Sequence, residues 1–332
     1  MNSPSTIAVI GGGSWATALV KMLCNNVQKV NWWIRDEETA AYIRKFSHNP
    51  KYISSVEFKA SQLNVSTDLK AILNDSQYII LAVPSAFLKD ALSVLDKNSF
   101  NGKIVFSAIK GIVPEHNKIV GEFLMQEYKI PLENIGVISG PCHAEEVAME
   151  KLSYLTIAST GAANAEAMAS ILTCRYIKTT VSDDIYGTEY SSVMKNVIAI
   201  AAGICHGLGY GDNFLSVLIS NGIQEIKRFV DAVHPITRDI KDSAYLGDLL
   251  VTAYSQYSRN RTFGSMVGKG YSVRSAQMEM NMIAEGYYGV KCIHEINKLF
   301  KAEMPITEAV FRILYERVSP TLEMRVLSDK LS

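Results

Sequence analysis

The chain has 332 residues, a length that suits about two domains, and 48% of them are hydrophobic, enough for sizeable cores. Thirty-three Lys and Arg balance thirty-three Asp and Glu, so there is no basic footprint for nucleic acid or an anionic membrane surface. The five cysteines (Cys24, Cys142, Cys174, Cys205 and Cys292) lack CxxC spacing, and the six histidines lack HExxH spacing. That pattern fits a reducing compartment and predicts no metal site.

"MNSPSTIAVIGGG" has no charged region followed by an apolar core, so no signal peptide is expected. No uninterrupted apolar run reaches the roughly 18 residues of a membrane span. The expectation is a soluble, cytoplasmic protein.

The first strand, "TIAVI" (6–10), runs into Gly11-Gly12-Gly13-Ser14-Trp15-Ala16 and then into a helical stretch, 15–23. This is GxGxxA, a variant of the dinucleotide fingerprint, in its required strand–turn–helix context. Gly11 permits the tight turn, Gly13 lets backbone approach a pyrophosphate, and Ala16 allows close helix–strand packing. The helix N-terminus faces the anion.

A second strand, "VNWWI" (30–34), ends in Arg35 and Asp36. Asp36 lies 20 residues after Ala16, where an acid binds ribose hydroxyls and favours NAD. Arg35 could instead pair with a 2′-phosphate and favour NADP, or both could be solvated charges. A helix is expected over 68–74, and strands over "YIILAV" (78–83), "KIVFSAI" (103–109) and "IGVISG" (135–140). Several are apolar on both faces, as parallel strands covered on both sides must be. The alternation reads as an α/β, Rossmann-like doubly wound sheet. Lys110 stands just beyond its fourth strand, at the carboxyl edge where such sheets bind ligands.

Near "VSDDIYGTEY" (181–190) the pattern changes. Helical spacing then runs through 188–203, 214–232, 274–284, 290–300 and 306–318, with glycine-rich breaks at 206–213 and 267–272. The expected domains are 1–187, binding a dinucleotide, and 188–332, an all-helical substrate-binding domain. In "SSVMKNVIAIAAG" (191–203), Ser191, Lys195, Ala199 and Ala202 share one helix face. Small neighbours leave room for a ligand beside the lysine; the alternative is a lysine snorkelling to the surface. Asp248 in "YLGDLLVT" sits in an apolar setting where an unpaired carboxylate is costly. Ser258, Arg259, Asn260 and Arg261 cluster two guanidiniums with short polar groups, which suits a phosphate or an exposed basic turn.

Taken together, "GGGSWATAL", "VPS", "IKGI", "SGPCHAEE", "VMKNVIAIAAGICHGLGYGDN", "LGDLLVT", "SRNRTFG", "AEG" and "MPITEAV" follow one another across nearly the whole chain. In content and order the set resembles the bacterial NAD(P)-dependent glycerol-3-phosphate dehydrogenases. The resemblance implies that Ser14, Trp15, Arg35, Tyr52, Lys110 and Ala144 contact NAD or NADP, along with Gly11 and Gly13 of the turn. It implies that Arg259, Ile283 and Glu285 reach the nucleotide from the helical domain. Lys110, Gly140, Cys142, Lys195, Asp248, Ser258, Arg259 and Asn260 would surround sn-glycerol 3-phosphate or dihydroxyacetone phosphate, with Lys195 the proton acceptor.

Three positions depart from the family's usual pattern. Cys142 replaces a serine or threonine, a stronger hydrogen-bond donor. Arg35-Asp36 replaces a commonly basic pair, a tilt toward NAD. Residues 191–194 replace a glycine-alanine-leucine stretch.

A free lysine, with pKa about 10.4, is a poor base at neutral pH. Desolvation and the Lys110 cation would lower that value, and acid–base help of this kind is worth roughly 10²–10⁴ in rate. In the family the physiological direction is ketone reduction, which supplies phospholipid synthesis. There Lys195 would donate the proton, Lys110 polarise the carbonyl, Asp248 orient the lysines, and Arg259 and Asn260 anchor the phosphate. Domain closure on binding is expected. Two other readings stand beside this one: a sister dehydrogenase acting on a 3-hydroxy acid or sugar acid, and a non-catalytic nucleotide sensor. The apolar helical region leaves a homodimer open.

Overall fold

The computed structural model describes residues 6–280, 282 and 284–332. It divides into a first unit, Met1–Ile109 with Val120–Ile185, and a second, Lys110–Ile119 with Tyr186–Ser332.

The strands of the first unit are β1 (Ile7–Ile10), β2 (Val30–Trp33), β3 (Leu63–Ser66), β4 (Tyr78–Leu81) and β5 (Ile104–Ser107). A short antiparallel pair in the second unit, β6 (Ile112–Val113) and β7 (Lys118–Ile119), comes next in the chain. It is followed, back in the first unit, by β8 (Ile135–Ser139), β9 (Ser153–Ser159) and β10 (Ile177–Ser182). Among the described residues, the eight strands of the first unit form one sheet in the order β10-β9-β8-β5-β4-β1-β2-β3.

From β3 to β8 every pairing is parallel. The chain starts at β1, builds outward to β3, then crosses to β4 on the other side; this reversal opens a crevice at the carboxyl ends of β1 and β4. The sheet is not parallel throughout: β9 runs antiparallel to β8, and β10 follows β9. β1, β2 and β4 are buried along their whole length, because helices cover both faces of a doubly wound sheet. Those helices are α1 (Ser14–Leu23), α2 (Glu37–Phe46), α3 (Leu69–Asn74), α4 (Leu88–Leu92), α5 (Val120–Tyr128), α6 (Ala144–Ala148) and α7 (Ala162–Leu172).

Helices continue with α8 (Ile185–Gly207), α9 (Asp212–Val233), α10 (Asp248–Tyr254), α11 (Arg259–Gly268), α12 (Val273–Glu279), α13 (Glu285–Phe300), α14 (Pro305–Tyr315) and α15 (Pro320–Ser328). From Tyr190 to Cys205 every residue of α8 is buried, the mark of a helix enclosed on all sides. Two pairs of glycines let α8 and α11 touch backbone to backbone. A Cβ on Gly203 would stand 2.1 Å from the Arg261 carbonyl oxygen, and one on Gly264 2.1 Å from that of Ile200. Gly207 and Gly268 repeat the contact one turn on. Ile112 and Ile119 of the β6–β7 pair join the apolar core of this unit, which is why Lys110–Ile119 belongs with it. Among the described residues, no helix is long and apolar enough to cross a membrane.

Candidate active site and nucleotide site

The glycine turn between β1 and α1 is held from behind. Gly11 has φ +138°, and a Cβ there would stand 2.6 Å from the Ala82 carbonyl oxygen, so only glycine fits. The Trp32 indole N–H donates to the Gly11 carbonyl at 2.7 Å. Asn49 Nδ2 donates to the Gly12 carbonyl at 3.0 Å, and Thr17 Oγ1 to that of Gly13 at 3.0 Å. All three carbonyls of the turn are engaged by the protein and kept from repelling an anion. Gly13 N-caps α1 without a side-chain cap, a Cβ on it would meet nothing within 4 Å, and the first turn carries no acid. The buried Trp15 Nε1 has no hydrogen-bond partner among the described residues. An open glycine, an uncapped helix start and an unmet donor fit a pyrophosphate.

Arg35, exposed, follows β2. Asp36 beside it N-caps α2: its carboxylate accepts from the Thr39 N–H at 3.1 Å, from Thr39 Oγ1, and from Lys51 Nζ at 2.8 Å. Lys51, then Thr39, holds the carboxyl well below its usual range. A carboxylate so engaged is a poor reader of ribose hydroxyls, which weakens the reading of Asp36 as an NAD selector. Tyr52 follows Lys51, its N–H donating to Asn49 Oδ1 at 3.2 Å.

Lys110, Lys195 and Asp248 meet in the second unit. Lys195 Nζ donates to Asp248 Oδ1. Lys110 Nζ lies 3.0 Å from Oδ2 and 3.3 Å from Oδ1 of the same carboxylate. Lys195 is 4% exposed and Asp248 1%, so this is a buried cluster and not a snorkelling lysine. α8 carries Lys195; a π-helical turn, Ser243–Gly247, delivers Asp248 to the start of α10. Thr252 Oγ1 donates to the Asp248 backbone carbonyl at 2.6 Å.

Two ammoniums crowd one buried carboxylate, and shedding a proton from the more buried lysine relieves their repulsion. Burial accordingly pushes the Lys195 ammonium down, to about 7; Asp248 opposes the shift and Lys110 adds to it. Burial alone would raise Asp248, but the Lys110 and Lys195 cations outweigh it and hold the carboxyl below its ordinary value. The cluster can hold and release one proton near neutrality.

Sequence reasoning left Asn196 and Thr252 without a role. Asn196 Nδ2 donates to the Lys110 backbone carbonyl at 2.8 Å, tying that lysine's chain to α8. The signal was the adjacency of Lys195 and Asn196.

On α11, Ser258 Oγ caps the helix by accepting from the Arg261 N–H at 3.3 Å. Asn260 Oδ1 accepts from the Gly286 N–H at 2.9 Å, which leaves its two Nδ2 hydrogens for an acceptor. Gly286, in the first turn of α13, lies so close to α8 that a Cβ would stand 2.7 Å from the Asn196 carbonyl oxygen. Arg261 Nε is buried with no partner among the described residues, and Arg259 is exposed, its Nη1 3.9 Å from Met282 Sδ. Glu285 is the first residue of α13.

Gly140, Cys142 and Ala144 lie in the first unit, after β8. Gly140 has φ +119°, and a Cβ there would stand 2.8 Å from the Tyr154 carbonyl oxygen. Cys142 and Ala144 are each 8% exposed and pack into the core. Ile283 lies outside the described residues.

Comparison with known proteins gives these arrangements a family. The model of the NAD-dependent glycerol-3-phosphate dehydrogenase N-terminus matches residues 6–165, and that of the C-terminus residues 184–325. A glycerol-3-phosphate dehydrogenase [NAD(P)+] of Salinibacter ruber is 35% identical over 95% of this chain and 92% of its own. One from Chlorobium phaeobacteroides is 33% identical over 93% of both. The crystal structure of glycerol-3-phosphate dehydrogenase from Coxiella burnetii superposes with a TM-score of 0.91 at 30% identity, covering 98% of each chain. The chain belongs to the NAD-dependent glycerol-3-phosphate dehydrogenase family.

Proposed function

We propose that the protein interconverts sn-glycerol 3-phosphate and dihydroxyacetone phosphate with NAD(P)⁺ or NAD(P)H, and that Lys195 is its acid/base. The buried Lys195–Asp248–Lys110 cluster, in a member of this family, carries the reading. When bound, the nicotinamide supplies or accepts the hydride at C2. Neutral Lys195 takes the C2 hydroxyl proton during oxidation; its ammonium returns the proton during reduction. Lys110, paired with Asp248, polarises the C2 oxygen. Asn260 Nδ2 and Arg259 hold the phosphate, so that binding energy remote from C2 orients it.

Gly11, Gly13, Ser14 and Trp15 would hold the pyrophosphate, and Arg35 and Tyr52 the adenosine end. Ala144, Ile283 and Glu285 complete the proposed nucleotide set, and Gly140, Cys142 and Ser258 the substrate set. Reduction in the cytoplasm, supplying glycerol 3-phosphate for phospholipid synthesis, is the physiological direction we propose. Loss of reduced-nicotinamide absorbance on mixing the protein with dihydroxyacetone phosphate tests the reading, and turnover of a 3-hydroxy acid in preference would replace it.

A further inference from the structure

Asn49 is fully buried, and its side-chain amide is saturated. Nδ2 donates to the Gly12 carbonyl at 3.0 Å and to Thr17 Oγ1 at 2.9 Å. Oδ1 accepts from the Lys51 N–H at 3.0 Å and the Tyr52 N–H at 3.2 Å. Two donors and two acceptor sites are all an asparagine has. On one side lies the turn that faces a pyrophosphate. On the other lies the segment whose Lys51 pairs with Asp36, beside Arg35. Thr17 extends the network to the Gly13 carbonyl.

We infer that Asn49 is a positioning residue for the nucleotide: it fixes the span between the pyrophosphate-facing turn and the adenosine-facing segment Lys51-Tyr52. The inference rests on the proposed reading for the identity of the ligand and for which end of it each place faces. A dinucleotide engages both places at once, and the second contact is strong because the first brings it to the right distance. A loosened span lets each half bind much as before and loses the joint advantage. The Asn49 amide is buried and spent wholly on protein partners, so its removal acts on nucleotide affinity and not on the chemical step.

The test compares NADPH and AMP binding, by fluorescence and competition, in wild type and Asn49→Ala, with steady-state kinetics on dihydroxyacetone phosphate. NADPH affinity should fall by about 10²-fold, AMP affinity should change little, and kcat at saturating cofactor should hold. Should Asn49→Ala not fold, Thr17→Val removes both hydroxyl bonds of the network, to Asn49 Nδ2 and to the Gly13 carbonyl, and Thr17→Ser keeps them. The valine variant should then weaken NADPH binding and the serine variant restore it. Equal losses for NADPH and AMP, or undiminished NADPH binding, would overturn the inference. Wild-type NADPH binding without turnover of dihydroxyacetone phosphate would instead sink the proposed reaction while leaving the Asn49 comparison decisive.

Discussion

Lys195 and Lys110 share the single carboxylate of Asp248, and Lys195 is the more deeply buried of the two. Burial and the neighbouring Lys110 cation make Lys195 easy to deprotonate, and Asp248 opposes this without cancelling it. Lys195→Met removes the proton carrier but keeps the Lys110–Asp248 pair. Its kcat should fall by roughly 10²–10⁴. Its thermal midpoint should match or exceed wild type, because a buried ammonium disfavours the fold. Calorimetry beside initial rates checks both.

The direction of the Lys195 shift fixes the pH profile. With its pKa lowered to about 7, glycerol 3-phosphate oxidation should rise as pH passes upward through that region, because the neutral amine is the base. Reduction should fall over the same range. Stability follows the same proton. Between about 7 and the unfolded value of about 10.4, the unfolded chain binds a proton that the native chain lacks, so stability rises with pH. Denaturant midpoints across this window should rise more in wild type than in Lys195→Met.

Asp248→Asn strips the lysines of their counter-ion. Removing one partner from a buried ionic cluster costs about 3–5 kcal/mol, and the variant should lose stability as well as turnover. Chemical denaturation near pH 6, below the value of about 7 at which wild-type Lys195 titrates, should show the largest deficit.

Lys51 bears on cofactor choice. It engages Asp36, leaving Arg35 as the charge available to a 2′-phosphate. Lys51→Ala exposes the Asp36 carboxylate beside Arg35. The ratio of kcat/KM for NADPH to that for NADH should drop about fivefold, the scale of an exposed charge interaction. An unchanged ratio would remove Lys51 and Asp36 from cofactor selection.

Glu225, on α9, is a buried acid with a structural task. Its carboxylate accepts from the Ile306 and Thr307 N–H groups at 2.8 and 2.9 Å and from Thr307 Oγ1 at 2.5 Å, capping α14 from a neighbouring helix. Glu225→Ala leaves those donors buried and unpaired, a loss of about 1–3 kcal/mol. Thermal unfolding should register it, with kcat unaffected at temperatures where the variant is folded.

The glycine turn was legible because GxGxxA encodes a backbone shape, and β1, β2 and β4 because burial on both faces writes continuous apolar runs. β3, "LNVS", and β10, "IKTTVS", were not, since edge strands are half-exposed and carry polar residues. α10 and α11 were missed because a seven-residue helix and one beginning Arg-Asn-Arg show little apolar periodicity. The small residues of α8 suggested room for a ligand. Ala199 and Ala202 are instead fully buried, Gly203 and Gly207 on the same helix meet the backbone of α11, and Gly286 of α13 meets the backbone of α8. Composition there serves close packing, and the lysine sits beside it. The pairing of Lys195 with Asp248, 53 residues apart, and the bonds of Asn49 depend on tertiary contact that no local pattern records.

The most direct test of the account is one assay on two proteins. Wild type and Lys195→Met are mixed with dihydroxyacetone phosphate and either NADH or NADPH, and nicotinamide absorbance is followed. The account predicts rapid oxidation by wild type and a rate at least about a hundredfold lower in the variant, with nucleotide binding intact. Equal rates in the two proteins, or no oxidation by wild type with either cofactor, would contradict it.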